Sequence, residues 1–105
     1  METLEKQLTD LLSTYNDLLG RMTDLKKARE LQDLIDRLFE LRGAVVEASL
    51  KDSGASYQKV VKSLDEARAS AAFTLSNLSN LALGMEKANA AATSLGELLA
   101  SVTGS

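Results

Sequence analysis

The chain has 105 residues, with 15 acidic and 12 basic side chains and a formal net charge of −3. It contains no Cys, His, Trp or Pro. These absences exclude disulfides, thiol nucleophiles, Cys-ligated zinc and histidine-based acid–base or metal chemistry. The small net charge provides no electrostatic basis for nucleic-acid binding. We therefore expect one domain over residues 1–105, with no enzymatic activity, cofactor or metal.

The first half of the chain carries an apolar heptad repeat. Its apolar residues alternate at spacings of four and three, which is typical of a coiled-coil seam. Leu12 and Leu19 add a third apolar position per heptad, which favours a helix that touches at least two neighbours. The register fails after Leu25, and the apolar stripe resumes at Leu31. The predicted core seam consists of Leu4, Leu8, Leu11, Tyr15, Leu18, Met22, Leu25, Ile35 and Leu38.

The clearest break in the helical pattern lies near the middle of the chain. Gly54 suits the left-handed position that ends a helix, and Ser53 or Ser56 suits the cap of the next one. The pattern predicts a helix over about 2–51, a turn over 52–56 and a helix over about 57–102. At 1.5 Å per residue, each helix is roughly 70–75 Å long. An additional turn between residues 20 and 30 is the alternative, and it gives a compact three-helix bundle.

The second half of the chain has few charges. Residues 69–105 contain only Glu86, Lys87 and Glu97, whereas residues 1–51 contain 18 charged side chains. A surface helix normally carries several charges in three turns, so this segment is expected to pack on more than one side. Phe73, Leu81 and Leu83 also lie off its main apolar stripe. The predicted interface consists of Phe73, Leu75, Leu78, Leu81, Ala82, Met85, Ala88, Ala92, Leu95 and Leu99.

A lone hairpin of two long helices covers only one face of each helix. The apolar stripes are wider than one neighbour can cover, so we expect two coiled-coil-like antiparallel hairpins to pair as a dimeric four-helix bundle. The expected partner is protein, either a second copy or another helical chain. No run of 18 apolar residues predicts a transmembrane helix, and surface helices that bind membranes usually carry Trp and Lys or Arg flanks that are missing here.

The leading functional hypothesis is a non-enzymatic structural protein that oligomerises or binds a helical partner through its charge-poor face. The turn at Ser53-Gly54-Ala55 resembles that of small secreted helical-hairpin proteins, although their signature Trp is absent. That resemblance implies a secretion-system substrate or chaperone as an alternative. The segment from Arg37 to Leu50 is similar to segments of phasins, which implies binding to a lipid or granule surface. Cytoplasmic location is the default expectation, with export without a cleaved signal peptide kept open.

Overall fold

The computed structural model describes residues 3–48 and 54–103, and it arranges them as four helices. No strand occurs within these two ranges, so the predicted all-α class is confirmed. Helices α1 and α2 form one hairpin, and helices α3 and α4 form a second one joined by a short 3-10 turn. The elements are α1 (Leu4–Gly20), α2 (Leu25–Ala48), α3 (Gly54–Ser76), the 3-10 turn (Leu78–Asn80) and α4 (Leu81–Thr103).

The first hairpin turns at residues 21–24. The backbone N–H of Arg21 donates to the Leu18 carbonyl at 3.0 Å, which tightens the last turn of α1. The Asp24 carboxylate then accepts from the backbone N–H groups of Lys26 and Lys27 at 2.9 and 3.2 Å. These are two of the donors that a helix start leaves without an intrahelical partner. Asp24 therefore begins α2 as its N-cap.

The second hairpin turns at Asn77. Its backbone leaves the helical region at φ −147° and ψ 87°, and its side-chain oxygen accepts from the Ser79 backbone N–H at 3.3 Å. The Asn80 amide nitrogen reaches back to α3, where it lies 3.2 Å from Ser70 Oγ and 3.1 Å from Thr74 Oγ1. Two asparagines thus cap and fasten this turn.

The predicted pair of long helices is wrong in two places. The helix predicted over about 2–51 is divided at residues 21–24, and the helix predicted over about 57–102 is divided at Asn77. The alternative prediction of a turn between residues 20 and 30 agrees with the break at 21–24, but residues 3–48 and 54–103 form four helices rather than three. Of the turn predicted over 52–56, residues 54–56 belong to α3, and residues 52 and 53 lie outside the described residues.

Loss of register explains why the first long helix does not persist. The stripe that ends at Leu18 and the stripe that resumes at Leu31 lie on different sides of a single straight helix. Folding back at residues 21–24 lets both stripes face one core, where both leucines are fully buried. Leu25, which the heptad pattern placed in the seam, is instead 84% exposed. Its assignment to the core seam is wrong, and Met22 is only partly buried.

The two hairpins pack side by side. Helix α1 lies between α2 and α3, while α4 lies between α3 and α2, so that α1 and α4 occupy opposite corners. The antiparallel α1–α2 pair is bridged by Arg42, which donates to Thr9 Oγ1 at 3.3 Å. Both turns lie at the same end of the molecule, where Arg21 donates to the Leu75 carbonyl at 3.0 Å. The molecule measures 43 × 22 × 18 Å, well short of the predicted 70 Å rods.

All four helices contribute to one hydrophobic core. Seven of the predicted seam residues are buried in it: Leu4, Leu8, Leu11, Tyr15, Leu18, Ile35 and Leu38. The backbone of Gly54 has a φ of +82°, so the left-handed conformation expected for this glycine is confirmed. Such a backbone is strained for any residue with a Cβ atom.

Alanine substitutions of the predicted seam residues Leu18 and Leu25 distinguish the compact fold from a continuous helix. At low micromolar concentration, Leu18→Ala is expected to lower the free energy of unfolding by about 2–5 kcal/mol, because it leaves a cavity in a packed core. Leu25→Ala is expected to change it by about 0.5 kcal/mol or less, because its side chain is exposed. Urea unfolding of both variants measures these values. Equal losses for the two variants would indicate a continuous seam instead.

Candidate interaction surface

The structure places most of the predicted interface inside the chain's own core. Of its ten residues, five are buried, two are partly buried and three are exposed. The buried residues are Leu81, Ala88, Ala92, Leu95 and Leu99. Leu75 and Met85 are partly buried. The exposed residues are Phe73, Leu78 and Ala82.

Small residues in the second half let α3 and α4 approach closely. A Cβ atom built on Gly84 would lie 3.2 Å from Thr74 Oγ1 and 3.4 Å from Ser70 Oγ. The Thr74 hydroxyl has little freedom to move, since it donates to the Ser70 carbonyl at 2.8 Å and accepts from Asn80 at 3.1 Å. Part of the small-residue composition is therefore explained by packing within the chain.

A buried phenol links opposite corners of the bundle. Tyr15 on α1 is fully buried, and its hydroxyl donates to the Gly84 carbonyl of α4 at 3.0 Å. Desolvation disfavours the phenolate, so burial raises the pKa of Tyr15 well above its usual value. This bond crosses the centre of the core and fixes the height of α4 relative to α1.

The exposed apolar residues of the second hairpin form a patch on its outer face. Thr74 and Gly84 face each other across the α3–α4 contact, and Phe73 and Leu83 each precede them by one residue. Each step of one residue along an α-helix turns the side-chain direction by about 100° around the helix axis. In antiparallel helices this rotation carries both side chains to the same face of the pair, at the same height. Phe73 is 54% exposed and Leu83 is 48% exposed.

We call this surface the Phe73–Leu83 patch, and it includes the exposed alanines Ala69 and Ala90. Ala69 lies one turn before Phe73 on α3, and Ala90 lies two turns after Leu83 on α4. No charged residue occurs between positions 69 and 85. The preceding charge, Arg68, turns towards α1, where it contacts Asp10 at 3.0 Å. The centre of the patch is therefore apolar, and Lys87, one turn after Leu83 and one turn before Ala90 on α4, brings one charge to its edge.

Leu83 was absent from the predicted interface although it lies at the centre of this patch. The apolar spacing of the second half placed it off the main stripe, most of which faces the core, although Leu78 of that stripe is exposed and the off-stripe Leu81 is buried. An off-stripe position on a charge-poor helix was the available signal. The sequence alone does not show that Leu83 and Phe73 lie at the same height, because this depends on the turn at Asn77.

A second set of exposed apolar residues lies on α2 in a different electrostatic setting. Phe39 and Val46 are exposed two turns apart, with Glu40 and Glu47 beside them in the sequence. The Arg42 guanidinium carbon lies 5.4 Å from the centre of the Phe39 ring, within the range of a cation–π contact. Charged residues thus lie directly beside these apolar residues in the sequence, whereas the positions next to Phe73 and Leu83 are uncharged.

An open groove of about 380 Å³ lies between α2 and α4. Arg37 lines it but is held by Asn89 Oδ1 at 3.2 Å and Thr93 Oγ1 at 3.3 Å.

Within residues 3–48 and 54–103, no group of three or more Asp or Glu side chains could hold a metal ion. None of the helices described is both long and apolar enough to cross a membrane.

Comparison with protein-family models, with curated proteins and with solved structures finds no significant match to this chain.

Replacing Tyr15 tests the central hydrogen bond and its dependence on pH. Tyr15→Phe is expected to lower the free energy of unfolding by about 1 kcal/mol at pH 7, through loss of the bond to Gly84. Because the folded-state pKa is raised, the stability that the neutral phenol provides is complete below pH ~10 and is lost as the pH rises further. Wild-type stability is expected to fall by up to about 1.4 kcal/mol per pH unit above that point, beyond any fall in the variant.

Urea unfolding of both proteins from pH 7 to pH 11.5 measures the difference between them. The other titrating groups are common to both chains, so they cancel in the comparison. Parallel stability curves above pH 10 would contradict the buried, hydrogen-bonded position of this phenol.

Proposed function

We propose that this chain is a non-enzymatic helical interaction protein, and that the Phe73–Leu83 patch binds a helix of its protein partner. The partner is a second copy of the chain or another helical chain. The observation that carries the proposal is the pairing of two large, half-exposed apolar side chains within a stretch, positions 69 to 85, that has no charged residue. Apolar surface clustered in this way is typical of protein-binding sites.

The size and surroundings of the patch fit a helical partner. Burying a Phe or Leu side chain contributes roughly 1.5–3 kcal/mol, which is the scale of an interface hot spot. The flanking Ala69 and Ala90 are small enough to let a second helix lie close to α3 and α4. An amphipathic helix with apolar residues at spacings of three and four has the shape that such a surface accepts.

The rest of the described surface supports binding more than catalysis. The charged side chains of the inter-helix seams are engaged with each other or with neutral groups, as Arg68 is with Asp10 and Arg37 is with Asn89. The groove between α2 and α4 is open to solvent and holds no paired nucleophile and base among its lining residues.

Adding charge to the patch is expected to weaken association. Light scattering of the wild-type chain from 1 to 500 µM is expected to rise above the monomer mass of 11.3 kDa. The double variant Phe73→Lys with Leu83→Lys is expected to associate less than the wild-type chain at each concentration, because two charges would have to be buried unpaired. The matched control is Ser13→Lys with Asn16→Lys, which adds the same charge at exposed positions of α1.

Two results would contradict this function. One is equal association by the patch variant and the control, which would place the contact elsewhere. The other is a wild-type chain that stays monomeric and, with a photo-cross-linking residue at position 73, gives no more protein adduct in its native cells than with the same residue at position 13. Flotation of the chain with lipid vesicles, lost in the patch variant, would assign the patch to a lipid surface instead.

A further inference from the structure

We propose that two copies of this chain also bind each other by exchange of helices at the two turns. In the exchanged dimer, α1 and α2 become one continuous helix, and α3 and α4 become another. This inference goes beyond the proposed function, since this contact is separate from the one proposed for the Phe73–Leu83 patch. It does not depend on the Phe73–Leu83 patch, because the exchange takes place through the core.

Neither turn is enforced by a residue that is incompatible with a helix. The chain has no proline, and among the described residues the only glycine with positive φ is Gly54, which lies in neither turn. Side-chain hydrogen bonds hold the turns instead, from Asp24 in the first and from Asn77 in the second. Such caps contribute modestly and are lost without strain when the helix continues.

Apolar residues continue through the first turn at helical spacing, although not in one heptad register. Leu18, Met22, Leu25, Ala28 and Leu31 follow one another at intervals of four, three, three and three. The successive intervals of three carry the stripe to another side of a continuous helix, which the exchanged dimer accommodates because α1 and α2 then lie in different bundles. In the compact fold Leu25 is 84% exposed, while its neighbours in this series are partly or fully buried. A continuous helix would return Leu25 to the seam.

The same pattern crosses the second turn. Ala71, Leu75, Leu78, Ala82 and Met85 follow one another at intervals of four, three, four and three, the spacing of an uninterrupted coiled-coil seam. Leu78 is 44% exposed and Ala82 is also exposed in the compact fold. Both turns therefore leave outside the core those residues that a straight helix would bury.

The topology allows both turns to open without threading the chain. The two turns lie at one end of the molecule, and α2 ends and α3 begins at the other. Straightening both turns sends half of each copy into the other copy's bundle. The contacts of α1 with α2 and α3, and of α4 with α3 and α2, then form between copies. The Tyr15–Gly84 bond joins opposite corners and remains within one copy.

The exchanged contact is large enough for a stable dimer. Ten large apolar side chains are less than 2% exposed in the compact fold, and burying one removes on the order of 100 Å² from water. The contact between two exchanged copies therefore buries on the order of 2,000 Å² of side-chain surface. Stable protein–protein interfaces bury about 1,200–2,000 Å².

A distance within one chain distinguishes the two forms. Glu5 and Glu47 are exposed, and the Arg42–Thr9 contact places them at the same end of neighbouring helices. Since the chain has no cysteine, Glu5→Cys with Glu47→Cys attaches a spin-label pair selectively. The labelled chain is refolded with excess unlabelled chain, so that only distances within a copy are measured. The dimer is expected to show about 60 Å at 1.5 Å per residue, and the monomer less than about 30 Å.

Variants of the first turn shift the equilibrium in opposite directions. Leu25→Pro places proline at the first helical position of α2, which tolerates it, whereas a continuous helix does not. It is expected to lower dimer affinity on the order of 100-fold or more. Asp24→Ala removes the cap of α2 from both copies, about 1 kcal/mol each, and is expected to raise dimer affinity roughly thirtyfold. Asp17→Ala, the same change on the exposed surface of α1, is the control and is expected to leave the affinity unchanged.

The outcomes separate this inference from the proposed function. A long distance in the dimer, with the stated order of the variants, supports exchange. A dimer with the short distance, lost on charging the Phe73–Leu83 patch and unaffected by Leu25→Pro, overturns exchange while supporting the patch. A chain that stays monomeric with the short distance at 500 µM overturns exchange as well. If Leu25→Pro fails to fold, the distance and the effect of Asp24→Ala still decide.

Discussion

The width of the apolar stripes is the constraint on which the rest of this structure depends. Three apolar positions per heptad cannot be covered by one neighbour, so each helix must contact two others. Leu12 shows the need in α1, since it lies outside the heptad seam and is nevertheless buried. Four helices at the corners of a bundle give each helix two neighbours. A single chain reaches this arrangement only by breaking each predicted long helix.

The breaks determine which surfaces remain available to a partner. Because the second half folds back at Asn77, the buried alanines of α4 (Ala88, Ala91 and Ala92) and Gly84 face α3 or the core, and Phe73 and Leu83 come together outside. The break at residues 21–24 leaves Leu25 exposed in the same way. The proposed contact and the proposed exchange thus have one physical origin. The molecule covers the stripes that a single chain can cover, and the remaining apolar residues lie on the outer face and at the turn end.

The sequence predicted the helical class and much of the core, but not where the helices end. Residues such as Leu8 and Leu11 were assignable because burial of one face of a helix gives its apolar residues a regular spacing of three and four in the sequence. Asp24 and Asn77 were not, because a cap of about 1 kcal/mol resembles any other polar residue in the pattern. Low charge in the second half indicated packing on several sides. It did not distinguish the chain's own helices from those of a partner, since both exclude water equally.

Small-angle X-ray scattering at low micromolar concentration tests the central claim, that one chain folds back twice to give every helix two neighbours. The account predicts a radius of gyration close to the 13.6 Å of the Cα atoms, increased slightly by side chains and hydration. It also predicts a maximum dimension slightly above the 43 Å long axis of the molecule. A radius near 20 Å with a maximum dimension of about 70 Å, the values of two long uninterrupted helices, would contradict it.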